Sequence, residues 1–217
     1  DSDVTHVTVA ASKTATLSAS QAALNITLGS NAVAKAKVLT TADISGTTFD
    51  SDVTRVTVAA SKTATLSSAQ AQLNITLGSN AVAKLGIGAN TDVSSLTFDS
   101  DVSEFVVSSG TLTVSTAQAT GRTISGAGNV TVNALATNAN LSNVSASGTI
   151  TANIAATGDY SANSNISTVD AFVVAASKTA TLSSAQAAKS ITLGSNAVAK
   201  AKVSTTADIS GTTFDSD

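Results

Sequence analysis

The sequence predicts an all-β chain wound as a parallel β-solenoid, or β-helix, of about nine rungs, each of ~24 residues with three short strands. An internal repeat carries most of that expectation. Residues 1–49 and 50–98 match at 35 of 49 positions without a gap, and both hold VTVAASKTATLS and NITLGSNAVAK. Val174 to Phe214 matches Val9 to Phe49 at 36 of 41 positions, so the pattern returns after a divergent middle. Proline supplies the second observation. Its usual frequency of about 5% would give roughly eleven, yet the chain has none, as expected of a backbone whose N–H groups nearly all donate to a ladder. The third is alternation: in Thr14-Ala15-Thr16-Leu17-Ser18, Ala15 and Leu17 can face inward while the hydroxyls face out.

The repeat divides a single continuous solenoid, 1–217, into units 1–49, 50–98, a longer divergent 99–165, and 166–217. Halving the unit predicts the rungs. A first strand is expected at the apolar triplets beginning at Val7, Ala32, Val56, Ala81, Phe105, Val130, Ile150, Phe172 and Ala197. A second is marked by an apolar residue followed by Ser at Leu17, Ile44, Leu66, Val93, Val114, Leu141, Tyr160, Leu182 and Ile209. A third follows at Ile26, Phe49, Ile75, Phe98, Ile124, Val144, Ile166, Ile191 and Phe214. Stretches such as Ser68 to Ala71 predict a helical turn at one corner, with Ser67 as its N-cap. Nine rungs at about 4.8 Å would stack to roughly 43 Å. A β-sandwich is the alternative, but the Asn-Gly and Asp-Gly hairpin signals are missing.

Composition narrows the function classes. With no Cys, disulfides and thiolate metal or nucleophile sites are excluded, and one His limits histidine chemistry. Only 12% of residues are charged and the net charge is −3, which offers no basic stripe for nucleic acid. No run approaches the ~20 apolar residues of a membrane helix, so no membrane insertion is expected. A mean hydropathy of +0.26 argues against disorder. Ser and Thr abound without an adjacent base, and no carboxylate pair is backed by His or Arg, so no enzyme is expected.

Two kinds of corner recur. Gly-x-Asn stands at Gly29/Asn31, Gly78/Asn80 and Gly194/Asn196, with Gly126-Ala-Gly128-Asn129 as a variant; these residue types accept left-handed backbone and predict structural corners. Phe-Asp-Ser-Asp fills the intervening corners at 49–52, 98–101 and 214–217. The pairs Asp50/Asp52 and Asp99/Asp101 are calcium candidates, the one cofactor the chain suggests, although solvated aspartate turns would read the same way. No cofactor is otherwise expected. An outward ladder of Thr16, Asp43, Thr65, Asp92, Thr113, Asn140, Asp159, Thr181 and Asp208 is interrupted by carboxylates, which weighs against ice binding. Lys13, Lys62 and Lys178 fall at one expected corner, and Lys35, Lys84 and Lys200 at another, as edge charges or lateral contacts. Asn25, Asn74, Asn129, Asn140, Asn143 and Asn165 match the glycosylation acceptor pattern.

Phe-Asp-Ser-Asp at 214–217 is followed, inside the repeat, by the Val-Thr that stands at residues 4 and 5, so the end can be laid on the beginning. That predicts either a window on a longer array or end-to-end stacking of copies. The run from Gly121 onward, with TISGAGNVTV, ANLSNVSASGTITANI and VDAFVVAASKTATLSSAQA, resembles repeat regions of large secreted bacterial surface proteins of the adhesin and surface-layer type. The resemblance implies export and an extracellular or cell-surface location. The expected function is a structural repeat forming a fibre, stalk or sheath, with itself as partner, head to tail and through lateral homotypic contacts. The alternatives are an adhesin spacer or a segment that binds glycan or calcium and, more remotely, ice binding.

Overall fold

A computed structural model describes residues 4–203 and Thr213. The expected elements at Asp208, Ile209 and 214–217 lie outside the described residues. The chain is all-β and its registered strand pairs are parallel. It divides into two compact units, Asp1–Gly86 with Leu96–Val106, and Ile87–Ser95 with Val107–Asp217.

In the first unit the strands are β1 (His6–Val9), β2 (Thr14–Leu17), β3 (Asn25–Leu28), β4 (Val33–Val38), β5 (Ala42–Asp43), β6 (Val53–Val58), β7 (Thr63–Leu66), β8 (Asn74–Leu77) and β9 (Val82–Ile87). Next come β10 (Thr91–Asp92), which belongs to the second unit, and β11 (Val102–Val107), which belongs mainly to the first. The second unit continues with β12 (Thr111–Ser115), β13 (Thr123–Gly126), β14 (Asn129–Asn133), β15 (Ile150–Ile154), β16 (Gly158–Asp159), β17 (Ala171–Val174), β18 (Thr179–Ser183), β19 (Ser190–Leu193) and β20 (Val198–Lys202).

Apart from β14 with β15, strands that pair are next but one in the chain. The first unit contains the orders β1-β3, β2-β4-β6-β8 and β5-β7-β9-β11; the second contains β10-β12-β14-β15-β17-β19 and β16-β18-β20. A parallel pair needs a crossover, and here the crossover is itself a strand with its corners. One ladder step takes 18 residues where Thr111 pairs with Asn129, and 22 where Asp43 pairs with Thr65.

That step corrects the expected rung. Val7 pairs with Ile26, not with the triplet at Ala32, and Ala34 pairs with Ala15 and Val53. Phe49 and Phe98 lie in irregular segments outside the strands, and Ile44 and Val93 immediately follow two-residue strands. The physical reason is that the 49-residue period falls between two and three ladder steps. A strand and its copy therefore enter different sheets: β2 lies in one sheet, and β7, 49 residues on, in another.

Within each unit the strands alternate as expected. In β4 and β9 every second residue is buried, giving Ala34, Ala36, Val38 and Ala83, Leu85, Ile87. Stacking then makes inward columns such as Ala36, Val56, Ile75 and Val114, Val132, Ala152, Phe172, Ile191. Among the described aromatics Phe98, Phe105, Tyr160 and Phe172 are interior and Phe49 is half-buried; Phe98 and Phe105 meet edge to face with centroids 5.4 Å apart. Tyr160 is buried, its hydroxyl donating to the carbonyls of Leu135 and Ala156.

The Gly-x-Asn corners form, with a division of labour. Asn31, Asn80 and Asn196 carry the positive φ of 57°, whereas the glycines permit close approach. A Cβ on Gly78 would sit 2.5 Å from the amide nitrogen of Ala60, and Gly29 and Gly194 face Ala11 and Ala176 in the same way. A second left-handed series at Ser12, Ser61 and Ser177 lies in the neighbouring turn, each serine amide donating to the carbonyl of Ser30, Ser79 or Ser195. The Gly128/Asn129 variant departs from this. There the positive φ is at Gly126, and Asn129 lies in β14, its side chain accepting from the amide of Thr149. Replacing Gly78 by Ala is expected to cost about 1–3 kcal/mol through backbone displacement, measured by denaturant unfolding, whereas Gly46→Ala, with open space at its Cβ, should stay within about 0.5 kcal/mol.

Candidate functional site

The chemistry-bearing side chains gather at the corners, where the ladder stops and backbone groups need other partners. Each Ser-x-x-Gln stretch closes a capping box. Ser67 Oγ accepts from the Gln70 amide, and Gln70 Oε1 accepts from the Ser67 amide at 2.9 Å. The same reciprocal pair joins Ser18 to Gln21, Ser115 to Gln118 and Ser183 to Gln186. Ser67 thus makes the bonds expected of an N-cap, although the helical turn there runs only over Gln70–Gln72 with Ala69 at its N-terminal flank; sequence reasoning missed the glutamine's second task.

Gln70, Gln118 and Gln186 are the buried polar side chains among the described residues. Gln70 Nε2 donates to the carbonyls of Ile44 at 2.9 Å and Thr47 at 2.7 Å, 26 and 23 residues back along the chain. Gln186 repeats this with Tyr160 and Asn163, and Gln118 reaches Val93. One amide thus caps its own helical turn and ties it to the neighbouring turn of chain. Gln21, in the same sequence position, is exposed and donates to no described residue.

The aspartates divide into two groups. The calcium candidates Asp50 and Asp99 are engaged by backbone amides. Asp50 Oδ1 accepts from Asp52 at 2.9 Å and Oδ2 from Ile26 at 3.2 Å. Asp99 does the same with Asp101 and Ile75. Asp170, which sequence reasoning did not single out, accepts from Ile150 at 2.9 Å. Asp52 and Asp101 supply the amide, not a converging carboxylate. Among the described residues no three His, Asp or Glu side chains gather as a metal cluster.

Asp43, Asp92 and Asp159 form the second group, and Asn140 makes the same contacts. Each Oδ1 accepts both the amide and the hydroxyl of the serine two residues on, closing a local turn. Those bonds favour the ionised form, so Asp43 and Asp92 lie below the usual carboxylate range. Asp159 falls to about 2, chiefly because the Lys202 ammonium lies 2.7 Å away and then because of Ser161.

The expected outward ladder forms only in part. Asp43 stands beside Thr65, Asp92 beside Thr113 and Asp159 beside Thr181, but Thr16 neighbours Lys35, Thr65 neighbours Lys84, and Thr113 neighbours Thr131. Lys35, Lys84 and Lys200 are strand residues, not corner residues. Lys84 pairs with Glu104 at 2.6 Å. Beside the glutamine corners lie two shallow grooves, one of ≈ 280 Å³ by Thr47, Phe49 and Leu73, the other of ≈ 320 Å³ by Asn163, Ile166 and Phe172.

Comparison with family models, curated proteins and solved structures finds no match. The site must therefore be interpreted from its own geometry.

Two predictions follow from that geometry. Gln70→Ala removes the side-chain donor from the Thr47 carbonyl and leaves the Ile44 carbonyl with the Thr47 amide alone, and is expected to cost about 1–3 kcal/mol, while Gln21→Ala, at the exposed equivalent, stays within about 0.5 kcal/mol; chemical denaturation of both variants checks the contrast. Asp159 has a folded pKa of about 2, below the unfolded value near ~3.9. Its contribution is present above that unfolded value and disappears as pH falls through the folded one. Asp159→Asn, which keeps the serine contacts as Asn140 does, should flatten the decline of Tm in this acid window; an unchanged decline would contradict the assignment.

Proposed function

We propose that the chain is a structural repeat segment of solenoid type, in which ladder hydrogen bonds and corner brackets carry mechanical continuity within an extracellular fibre, stalk or sheath. The observation that carries the reading is the parallel pairing of strands over successive ladder steps of similar length, next but one in the chain except at β14 with β15. A chain that winds in this way stacks each turn on the last, and every added turn extends the same ladder. The rung best supported is about 20 residues with two principal strands.

The polar chemistry supports a structural role. The buried glutamines and the engaged aspartates spend their hydrogen bonds on backbone groups. The reading assigns no catalysis and requires no cofactor. The extracellular setting is part of the proposal and draws on the likeness to secreted surface repeats.

A second reading, a ligand-binding spacer, is favoured by the two grooves. Their linings correspond residue by residue at a separation of 116 positions: Ser45 with Ser161, Ser67 with Ser183 and Gln70 with Gln186. Chemical-shift changes at Thr47 and Asn163 on titration with neutral oligosaccharides would favour it over the purely structural role.

Oriented samples are expected to diffract with an axial spacing of ~4.8 Å, and antibody labelling of intact producing cells should detect the chain at the surface. An absent axial reflection would remove the ladder, and labelling only after permeabilisation would remove the extracellular role.

A further inference from the structure

The chain contains a stacking interface twice with the same set of bonds, again in variant form where Asp92 and Val93 lie on Thr113 and Gln118, and one half of it once more. In the first copy residues 41–47, TADISGT, lie on Thr63–Gln70. Ala42 and Asp43 pair with Ala64 and Thr65, the Ile44 amide donates to the Thr65 carbonyl at 2.9 Å, and Thr41 Oγ1 accepts from the Thr63 amide. Gln70 Nε2 closes the joint on the carbonyls of Ile44 and Thr47. The second copy places residues 157–163 on Thr179–Gln186 through the same set: Gly158 and Asp159 pair with Ala180 and Thr181, Tyr160 donates to Thr181, Thr157 accepts from Thr179, and Gln186 binds two carbonyls.

Thr14–Ala22 is a further accepting surface. It reads TATLSASQA where Thr63–Ala71 reads TATLSSAQA, and it closes the same capping box between Ser18 and Gln21. Yet β2 is the edge strand of its sheet, and Gln21 donates to no described residue. The matching donor sequence is also present, because residues 206–212 repeat TADISGT without a change.

We propose that the β2 edge, with Gln21, is a docking site for residues 206–212 of a second copy of this chain. The docked segment extends the sheet by one parallel strand in the register of the internal joints, with Ala207 beside Ala15 and Asp208 beside Thr16. Gln21 Nε2 then donates to the carbonyls of Ile209 and Thr212. The occupant is chosen by continuity with the internal interface: identical donor and near-identical acceptor sequences already form this joint within the chain. The proposal rests on the ladder reading above, and it names the surface through which that ladder passes from copy to copy.

Cysteine cross-linking in this cysteine-free chain separates the two ideas. Asp43→Cys with Thr65→Cys places thiols on neighbouring strands about 4.8 Å apart, within disulfide range, and should give an intramolecular bond; its failure would overturn the ladder reading and this proposal together. Thr16→Cys with Asp208→Cys should give disulfide-linked dimers and higher oligomers on a non-reducing gel. Thr16→Cys with Ser210→Cys, two residues out of register, should give at least about tenfold less. Adding Gln21→Ala to the in-register pair should reduce cross-linking about tenfold, because the joint loses its amide bracket, while leaving the melting temperature unchanged. Monomers alone, an intramolecular 16–208 bond, or equal yields from both registers would overturn the docking site while leaving the internal ladder intact.

Discussion

The structure depends on how its backbone amides and carbonyls are satisfied where parallel pairing stops. Within the strands the ladder pairs these groups, but short strands mean frequent corners, and each corner releases donors and acceptors beside an apolar interior. An unpaired buried group costs about 1–3 kcal/mol, enough that several would unfold a chain of this size. Side chains complete the pairing. Glutamine takes two carbonyls at Ile44 and Thr47, and Asp50 takes the amides of Ile26 and Asp52. The corner residues are thus extensions of the ladder, and their spacing of 20–26 residues follows the ladder step.

The mismatch between ladder step and sequence period shapes the rest of the composition. Because copies enter different sheets, one residue type must tolerate several neighbours. Lys35 stands beside Arg55 and Thr16, a like-charge pair on one side and a hydroxyl on the other. Its copy Lys84 stands beside Glu104 and gains an ion pair. Cross-strand like charges cost up to about 1 kcal/mol and opposite charges return a similar amount, so charges are tolerable only where they are few. Thr and Val impose no such condition. A low charge content follows from the changing neighbours as much as from the environment the protein occupies.

Much of the fold was legible because strand alternation and corner chemistry are local. TATLS alternates in sequence and in burial, and Ser-x-x-Gln predicts its helical turn from three intervening bonds. Ladder register was less legible, because it is a property of stacked turns. The inward apolar residues of β4 and β9 alternate alike whichever sheet they join, so the sequence period of 49 suggested half-units of about 24 residues, whereas Thr14 pairs with Val33. The glutamine bracket was hidden for the same reason. Its capping partner lies three residues away, but its carbonyl partners lie 23 and 26 residues away, at a distance only the register supplies. At the Phe-Asp-Ser-Asp corner the residue types were legible and their chemistry was not. A carboxylate that accepts amides on both oxygens and one that ligates a cation have the same sequence.

Core volume adds a constraint that the local bonds do not. Val56 and Phe105 occupy equivalent positions 49 residues apart, and both are fully buried. Phe98 is buried edge to face against the Phe105 ring, whereas its copy Phe49 is half-buried. A larger inward residue thus comes with a corner ring drawn inward to meet it. Dense packing leaves little room for independent change at an inward position, and the change from Val56 to Phe105 coincides with fuller burial of an unchanged corner phenylalanine, Phe49 in one copy and Phe98 in the other. The repeat can diverge in its middle while the backbone path persists, provided that each inward substitution is answered at the adjoining corner and the amide brackets stay in register.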